Sequence, residues 1–524
     1  MKKKYVRWTL WTIASPFILF IILCILIYLP PIQNFLVDKA AVYASEATGM
    51  NISVGRISLS FPLNLVVTNV DAASPHNDTL LSVRRLQVNV QLLPLLKKQV
   101  EVDGISLQGA TVNSNDLIHG MKLNGTLGEL FISSHGVALD PETAIVNKVL
   151  LKDTDLSLCL NDTAAADTAA SDTTYWKIIL QDIDLQNVSF ALDMPLDSLS
   201  LAASLDNAIL RDGLIDLHKS AYSLQTFRIE NGRVRYDNGK PLAADSLSSG
   251  LDPSHIALTD IGVKLDSLYY GGRNMKAIIS QFVLKERSGV EIVSATGRMV
   301  SNDKVLRVPS LKLETRDSYL ELNAAMDWNA LDFKGEGLMS ARLMADIGKP
   351  DVVRFMGRMD EKFVRQYPSE PLRIRTGIDG DLNKLKLTTL TAELPGALGL
   401  FARGELTHLT DSLLRGGDIT LEAETKDLKF VSTLAEGIEI PYGTRLEGKF
   451  TMAGAKMGTD LLLMQPEAQA VAAADTIPIT VYNDSISVAD DFKMERAARL
   501  FAKYDLSRDR YEADLAVNHF DLHQ

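Results

Sequence analysis

The side chains that could carry acid–base, metal or nucleophilic chemistry are scattered along this 524-residue chain. Eight histidines stand at 76, 119, 135, 218, 255, 408, 519 and 523. A metalloprotease helix needs two histidines four apart with a glutamate after the first, so that both rings and the base share one face. Only His519 and His523 are four apart, and Phe520 follows the first of them. There is no Gly-x-Ser-x-Gly nucleophile elbow, no phosphate-binding P-loop and no Gly-x-Gly-x-x-Gly after a strand. Carboxylates are numerous, but spacing singles out no pair. The expectation is a non-enzyme, with no catalytic residues, no cofactor and no metal.

One triplet recurs: Asp, then Ser or Thr, then an apolar residue or Thr. It begins at Asp78, Asp162, Asp167, Asp172, Asp197, Asp245, Asp266, Asp411, Asp475 and Asp484. It resembles the O-glycosylation site of periplasmic proteins in some bacterial groups, which would make Thr163, Thr168 and Thr173 acceptors. Turn chemistry reads the same triplets equally well, because Asp-Ser and Asp-Thr form side-chain turns before strands. Both readings stay open.

Such groups need elements to hold them, and composition bounds those elements. The chain carries −12, and −16 beyond its first 29 residues. That excludes the basic footprint of a nucleic-acid binder and broad adhesion to anionic headgroups. Cys159 is the only cysteine outside the first apolar stretch, so packing and strand pairing must supply stability without a disulfide.

That first stretch, Trp8 to Leu29, is uncharged over 22 residues. About 20 apolar residues span a hydrocarbon core of roughly 30 Å. Lys2, Lys3, Lys4 and Arg7 precede it, and the next base is Lys39. The positive-inside rule predicts a single-pass anchor with a cytoplasmic N-terminus and the bulk of the chain across the membrane. A cleaved signal peptide fits less well, because the run is longer than a signal core and Pro30-Pro31 follow directly. Leu23 stands where a lipoprotein site at Cys24 would need a small residue.

Ile32 to Thr48 reads as a helix that Gly49 stops. Beyond it the period is two. In Leu86-Gln87-Val88-Asn89-Val90-Gln91-Leu92 every second side chain is aliphatic, which predicts a strand with one buried and one wetted face. Further strands are predicted at Val305–Leu313, Tyr319–Ala325, Leu385–Glu393, Asp418–Ala423 and Arg445–Met452. A loose motif recurs at Val102–Leu107, Leu151–Leu158, Leu185–Phe190, Ile229–Tyr236 and Leu258–Val263. Its Asp, Asn and Gly residues suit a kink, bulge or tight turn. Asn161 to Thr174 is low in complexity and reads as a flexible surface loop. Val352, Phe355, Met356, Met359 and Phe363 predict one basic amphipathic helix, read as a cap on a sheet ahead of a membrane-surface element. Leu428–Glu436 and Asp490–Lys503 carry weaker helical patterns.

The order of these features resembles the start of AsmA-like proteins, and within them the TamB type, the inner-membrane component of the translocation and assembly module. The residues that carry it are Asn51-Ile-Ser-Val-Gly-Arg-Ile-Ser-Leu-Ser-Phe-Pro-Leu, then Leu81-Ser-Val-Arg-Arg-Leu-Gln-Val-Asn-Val-Gln-Leu-Leu-Pro-Leu-Leu, then Val102-Asp-Gly-Ile-Ser-Leu-Gln-Gly-Ala-Thr-Val. The specific part covers about residues 1–115. The resemblance implies a mainly β protein, an elongated, curved, repetitive sheet groove with a few short helices behind one anchor. It implies a bacterial inner-membrane location, a path across the periplasm toward an outer-membrane barrel of the BamA superfamily, and a role in phospholipid passage or outer-membrane protein assembly. Proteins of this type are usually longer, so the chain is expected to be an N-terminal fragment or a truncated form. The expected division is tail and anchor at 1–31, an AsmA-like β module at 32–160, a flexible loop at 161–175 and a continuing β-groove region at 176–524.

A wall of aliphatic side chains lifts the cost of about 0.8 kcal/mol per exposed acyl CH₂ without fixing a lipid at one place. About 30 strands stacked along one axis would extend on the order of 140 Å. The candidate lining residues are Leu86, Val88, Val90, Leu92, Ile105 and Leu107, facing phospholipid acyl chains. Two other readings stay open at this point. One is an assembly factor that templates outer-membrane proteins by β-augmentation. The other is a compact tethered envelope enzyme or binding protein.

Overall fold

The computed structural model describes seven residues between 39 and 50 (39, 41, 42, 45, 46, 49 and 50), and then residues 51–60, 64–74, 79–90, 102–114, 120–138, 142–161, 175–240, 250–332, 336–357, 360–434, 443–466, 479–481, 486–488, 494–505 and 510–518. The protein is mainly β: among the described residues 24 strands belong to one hydrogen-bonded sheet, and two form a separate hairpin. No helix among the described residues is long and apolar enough to cross a membrane. The Trp8–Leu29 stretch lies outside them. Of the helix expected over Ile32–Thr48, the described residues 39, 41, 42, 45 and 46 are helical. Gly49, at φ 68°, ends it by donating its N–H to the Ser45 carbonyl at 2.9 Å.

Contacts divide the chain into two compact units, Met1–Pro241 with Thr259–Ile261, and Leu242–Leu258 with Gly262–Gln524. The strands of unit 1 are β1 (Asn51–Ser60), β2 (Asn64–Ala73), β3 (Thr79–Val90), β4 (Val102–Asn113), β5 (Met121–Ala138), β6 (Thr143–Leu160), β7 (Lys177–Met194), β8 (Leu199–Asp216), β9 (Ala221–Leu224) and β10 (Thr226–Asp237). From β1 to β8 each pairs with its neighbour in sequence. The far edge of β8 carries β10 along Ser200–Arg211 and β9 along Leu214–Asp216. Every one of these ladders is antiparallel except β6–β7. A parallel pair needs a crossover connection.

Unit 2 holds most of β11 (His255–Gly271), then β12 (Asn274–Glu286), β13 (Glu291–Ser301), β14 (Val305–Thr315), β15 (Tyr319–Asp327), β16 (Met339–Ile347), β17 (Leu372–Gly380), β18 (Lys384–Leu394), β19 (Leu398–Thr407), β20 (Gly416–Thr425), β21 (Arg445–Ala453) and β22 (Lys456–Pro466). A small hairpin, β23 (Ile479–Val481) with β24 (Ile486–Val488), precedes β25 (Met494–Asp505) and β26 (Arg510–Val517). The five strands expected from sequence in this region are all present, each within two residues of its expected limits.

Two helical expectations are corrected. The single helix over 352–363 is two: α1 (Lys349–Met356) and α2 (Glu361–Gln366). Gly357 breaks it at φ 74°, ψ −132°, and Asp360 restarts it by accepting a hydrogen bond from the Lys362 N–H at 2.8 Å. The helix expected over Asp490–Lys503 is instead strand β25 from Met494 onward. Its Ala- and Arg-rich composition favours helix, but ladders to β22 and β26 override that preference. Of the weaker helical pattern over 428–436, the described residues 428–434 hold a 3₁₀ turn at Val431–Thr433, and 435 and 436 lie outside them.

The compact core of unit 2 lies where these helical pieces meet strand ends. Phe363, Tyr367, Leu394, Ala397, Leu428 and Phe430 form one buried cluster. Tyr367 and Phe430 meet edge-on at 5.1 Å between ring centroids, a favoured aromatic geometry. The expected capping face is met only in part: α2 and the 428–433 segment bury Phe363 and Phe430 against these strand ends, whereas Phe355 and Met356 of α1 are 55% and 48% exposed.

Candidate functional site

A set of residue rows runs across the strands of unit 1. Residues paired directly across a ladder share a face. One row passes through Ile57, Val67, Leu86, Leu107, Leu130, Leu151, Leu185, Ala208 and Ile229, from β1 to β10. Three more rows share its face. They start at Leu59, Val54 and Ile52 and end at Phe227, Gly232 and Val234. None of the positions in these four rows is charged, and Thr154 is the one polar side chain among them. The opposite face is more polar: one row, from Ser58 through Val66, Gln87, Ser106, Phe131, Leu150, Asp184 and Ile209 to Arg228, mixes polar and apolar side chains. The row from Ser53 through Asp71, Ser82, Thr111, Thr126, Asp155, Ser189 and Ser204 to Arg233 contains no apolar residue.

A line of backbone irregularities splits the apolar face into two pairs of rows. Asn69, Gly109, Asp153, Asn187 and Asn231 have φ between 49° and 61°, inside strands. In register each of them stands opposite Gly55, Arg84, Gly128, Asp206 or another of the five, at one level across all nine strands. Each strand there turns two consecutive residues to the polar face, as Arg84 and Arg85 show by both being exposed. The strands therefore bend together, along one crease. Asn and Asp tolerate the left-handed region better than most residues. Side chains on the polar side of the crease hold it. Asn187 Nδ2 donates to Asp153 Oδ1 at 2.8 Å, and Asn231 Nδ2 donates to Asp206.

Burial on the apolar face changes with distance from the crease. Val83 and Ala110, in a row beside it, are each 4% exposed. Ile105 and Phe190, in the far rows, are 36% and 38% exposed, although Ala72 in a far row is buried. The substantial contacts of strands β1 to β8 and β10 are with ladder neighbours.

Of the six candidate lining residues, Leu86 and Leu107 are direct cross-strand partners, as are Val88 and Ile105 in the next row. Val90 continues the same strand opposite Val102. Leu92 lies outside the described residues. Thr163, Thr168 and Thr173 also lie outside them. Among the described triplets, Ser267 is buried, whereas Ser198 and Ser412 are exposed. Asp411 makes the turn that its sequence suits, accepting from the Leu413 and Leu414 N–H groups at 2.8 and 3.2 Å.

In unit 2 the same pattern continues, with rows such as Leu320, Ala345, Ile374, Ala392, Leu400, Ala423, Leu446 and Leu463 on one face. The other face carries exposed ion pairs, among them the bidentate Arg499–Asp460 contact at 2.6 and 2.8 Å, which holds the Asp460 carboxyl below its usual range.

Buried polar groups of unit 2 serve packing. Asp351, 1% exposed, pairs with Arg354 at 3.0 Å and accepts from Ser318 Oγ at 2.6 Å and from Thr315, tying α1 to the β14–β15 turn. A hydrogen bond from His255 at 2.8 Å, then one from the Ser254 N–H, hold the Asp252 carboxyl below its ordinary pKa. Glu424 is the strained one. Burial pushes its carboxyl upward, Arg445 and Lys426 oppose that shift, and Oε2 has no hydrogen-bond partner. Among the described residues no group of His, Cys, Asp and Glu is placed to hold a metal ion.

No family model matches the chain. No curated protein matches it either.

Proposed function

We propose that the apolar face of unit 1 is a groove for acyl chains, and that the protein is an envelope component that carries phospholipid between two membranes. One observation carries the reading: four uncharged rows run unbroken across nine strands, with a crease between them and burial that falls away from it. A protein core would cover the far rows. Here Ile105 and Phe190 keep more than a third of their surface open. From the first to the last row is seven residues of strand, or about 23 Å, and nine strands advance about 38 Å. A sheet bent along the crease with its apolar side concave gives two walls, each two rows wide. An acyl chain laid there loses its contact with water wherever along the rows it sits, so it can move without leaving a fixed site.

The uncharged Trp8–Leu29 stretch supports a single inner-membrane anchor with the groove in the periplasm. The resemblance of residues 1–115 to the TamB type supports the same role, with a BamA-superfamily barrel as the far partner. The scarcity of catalytic constellations in the sequence supports a non-enzyme.

The test is to purify the full-length protein in detergent and measure bound lipid by mass spectrometry, beside a Val88→Asp, Ile105→Asp double variant. The expected result is bound phospholipid in the wild type and strong depletion in a variant that still elutes and unfolds like the wild type. A wild type without phospholipid sinks the proposal.

The assembly-factor reading has one observation in its favour. Strand β26, paired to β25, is exposed at all eight residues, including Tyr511, Leu515 and Val517. An open strand of alternating character is what β-augmentation uses. Cross-links from β26 to unfolded barrel proteins, in place of bound lipid, would favour it.

A further inference from the structure

We infer that the apolar face of unit 1 takes amphiphiles by their acyl chains alone and does not select among headgroups by charge. This rests on the reading of that face as an acyl-chain groove. Selection by charge needs a charged or hydrogen-bonding partner within reach of the headgroup, held where water competes poorly. The four rows offer none. Their one polar side chain, Thr154, is 2% exposed, and its hydroxyl donates to the Lys152 carbonyl at 3.2 Å.

Among the described residues, the ion pairs of unit 1 stand on the other face. Arg211 pairs with Asp182 at 2.9 Å and Asp184 at 2.6 Å, and Arg233 pairs with Asp206 at 3.4 Å. Asp184 and Arg233 sit between apolar-face neighbours in their strands, and Asp182, Arg211 and Asp206 each adjoin one, Ile183, Leu210 and Leu205, so all five stand on the face opposite the rows. These guanidinium groups are already matched to carboxylates. A headgroup whose chains lie on the apolar face stays in water, where charges beyond about 8 Å are screened. Buried single charges would impose selection at once, because an unpaired ion on a water-poor face is costly. Their absence from all four rows makes the face indifferent to whether the lipid is zwitterionic or anionic.

The experiment uses full-length protein purified in detergent from two membranes, one rich in zwitterionic phospholipid and one shifted toward anionic phospholipid. Bound lipid is quantified by headgroup class and compared with the membrane of origin. The expected result is that each class is bound within about twofold of its share and follows the shift between membranes. One class enriched beyond that in both membranes overturns the inference and leaves the acyl-chain reading standing. No phospholipid above the level carried by an unrelated single-anchor membrane protein overturns both.

Discussion

Asn187 donates a hydrogen bond from Nδ2 to Asp153 Oδ1 at 2.8 Å across the β6–β7 ladder, and both residues have a positive φ, 51° and 49°. Two parallel strands thus bend at the same level and are stitched at the bend. The crease of unit 1 is a row of such positions, and the apolar face is divided where they stand.

Asn187→Val removes the hydrogen bond and forces a β-branched residue into the left-handed region. The expected cost is about 2–4 kcal/mol. Asn187→Gly loses the bond but relieves the backbone, and is expected to cost no more than about 1.5 kcal/mol. Urea unfolding of the two variants checks the order. Equal loss in both would mean that backbone conformation is not what Asn187 supplies.

Glu424 gives a pH dependence of definite sign. Its folded pKa is raised by burial, so the neutral form is favoured in the folded state. Its contribution is most favourable below the unfolded carboxylate pKa and is lost as pH rises through the folded one. Glu424→Gln is expected to stabilise the protein at neutral pH by about 1 kcal/mol, a gain that shrinks toward acid. Denaturant midpoints at several pH values read this out, and a gain that grows toward acid would contradict it.

Removing the Asp351 carboxylate takes the buried acceptor from the Thr315 and Ser318 hydroxyl groups and leaves Arg354 paired with Asp317 alone. Asp351→Ala is expected to cost about 3–5 kcal/mol and to expose α1 to proteolysis before the rest of unit 2. Phe363→Ala, which empties the centre of the aromatic cluster, is expected to cost about 3–5 kcal/mol as well. Both are read by unfolding and limited digestion. Unchanged digestion at α1 in the first variant would show that the ion pair does not dock the helix.

Much of the strand content was legible because a half-wetted sheet stamps a period of two on its sequence, as in Leu86, Val88 and Val90. The kinks at Asp153, Asn187, Asn231 and Asp260 were legible through residues that tolerate a positive φ. Asn69 and Gly109 were missed, and in the Val102–Leu107 motif the kink falls beyond its end, at Gly109. That the kinks align across strands could not be read, because register is set in space and not along the chain. Periodicity also carries no strand direction, so the parallel β6–β7 ladder left no mark. In α1 and α2 the apolar spacing ran on through Gly357, while the backbone did not. For the candidate site, the sequence placed Leu86 and Val88 on one face. It could not show that Leu107 and Ile105 stand directly opposite them.

The central claim is that one face of unit 1 meets lipid and the other meets water. A photo-crosslinking side chain at alternate positions of β4 tests it most directly, in the full-length protein in cells: Ile105 and Leu107 on the apolar face, Ser106 and Gln108 on the other. The account predicts phospholipid adducts at Ile105 and Leu107 and none at Ser106 and Gln108. Adducts independent of this alternation, or absent from Ile105 and Leu107, would contradict it.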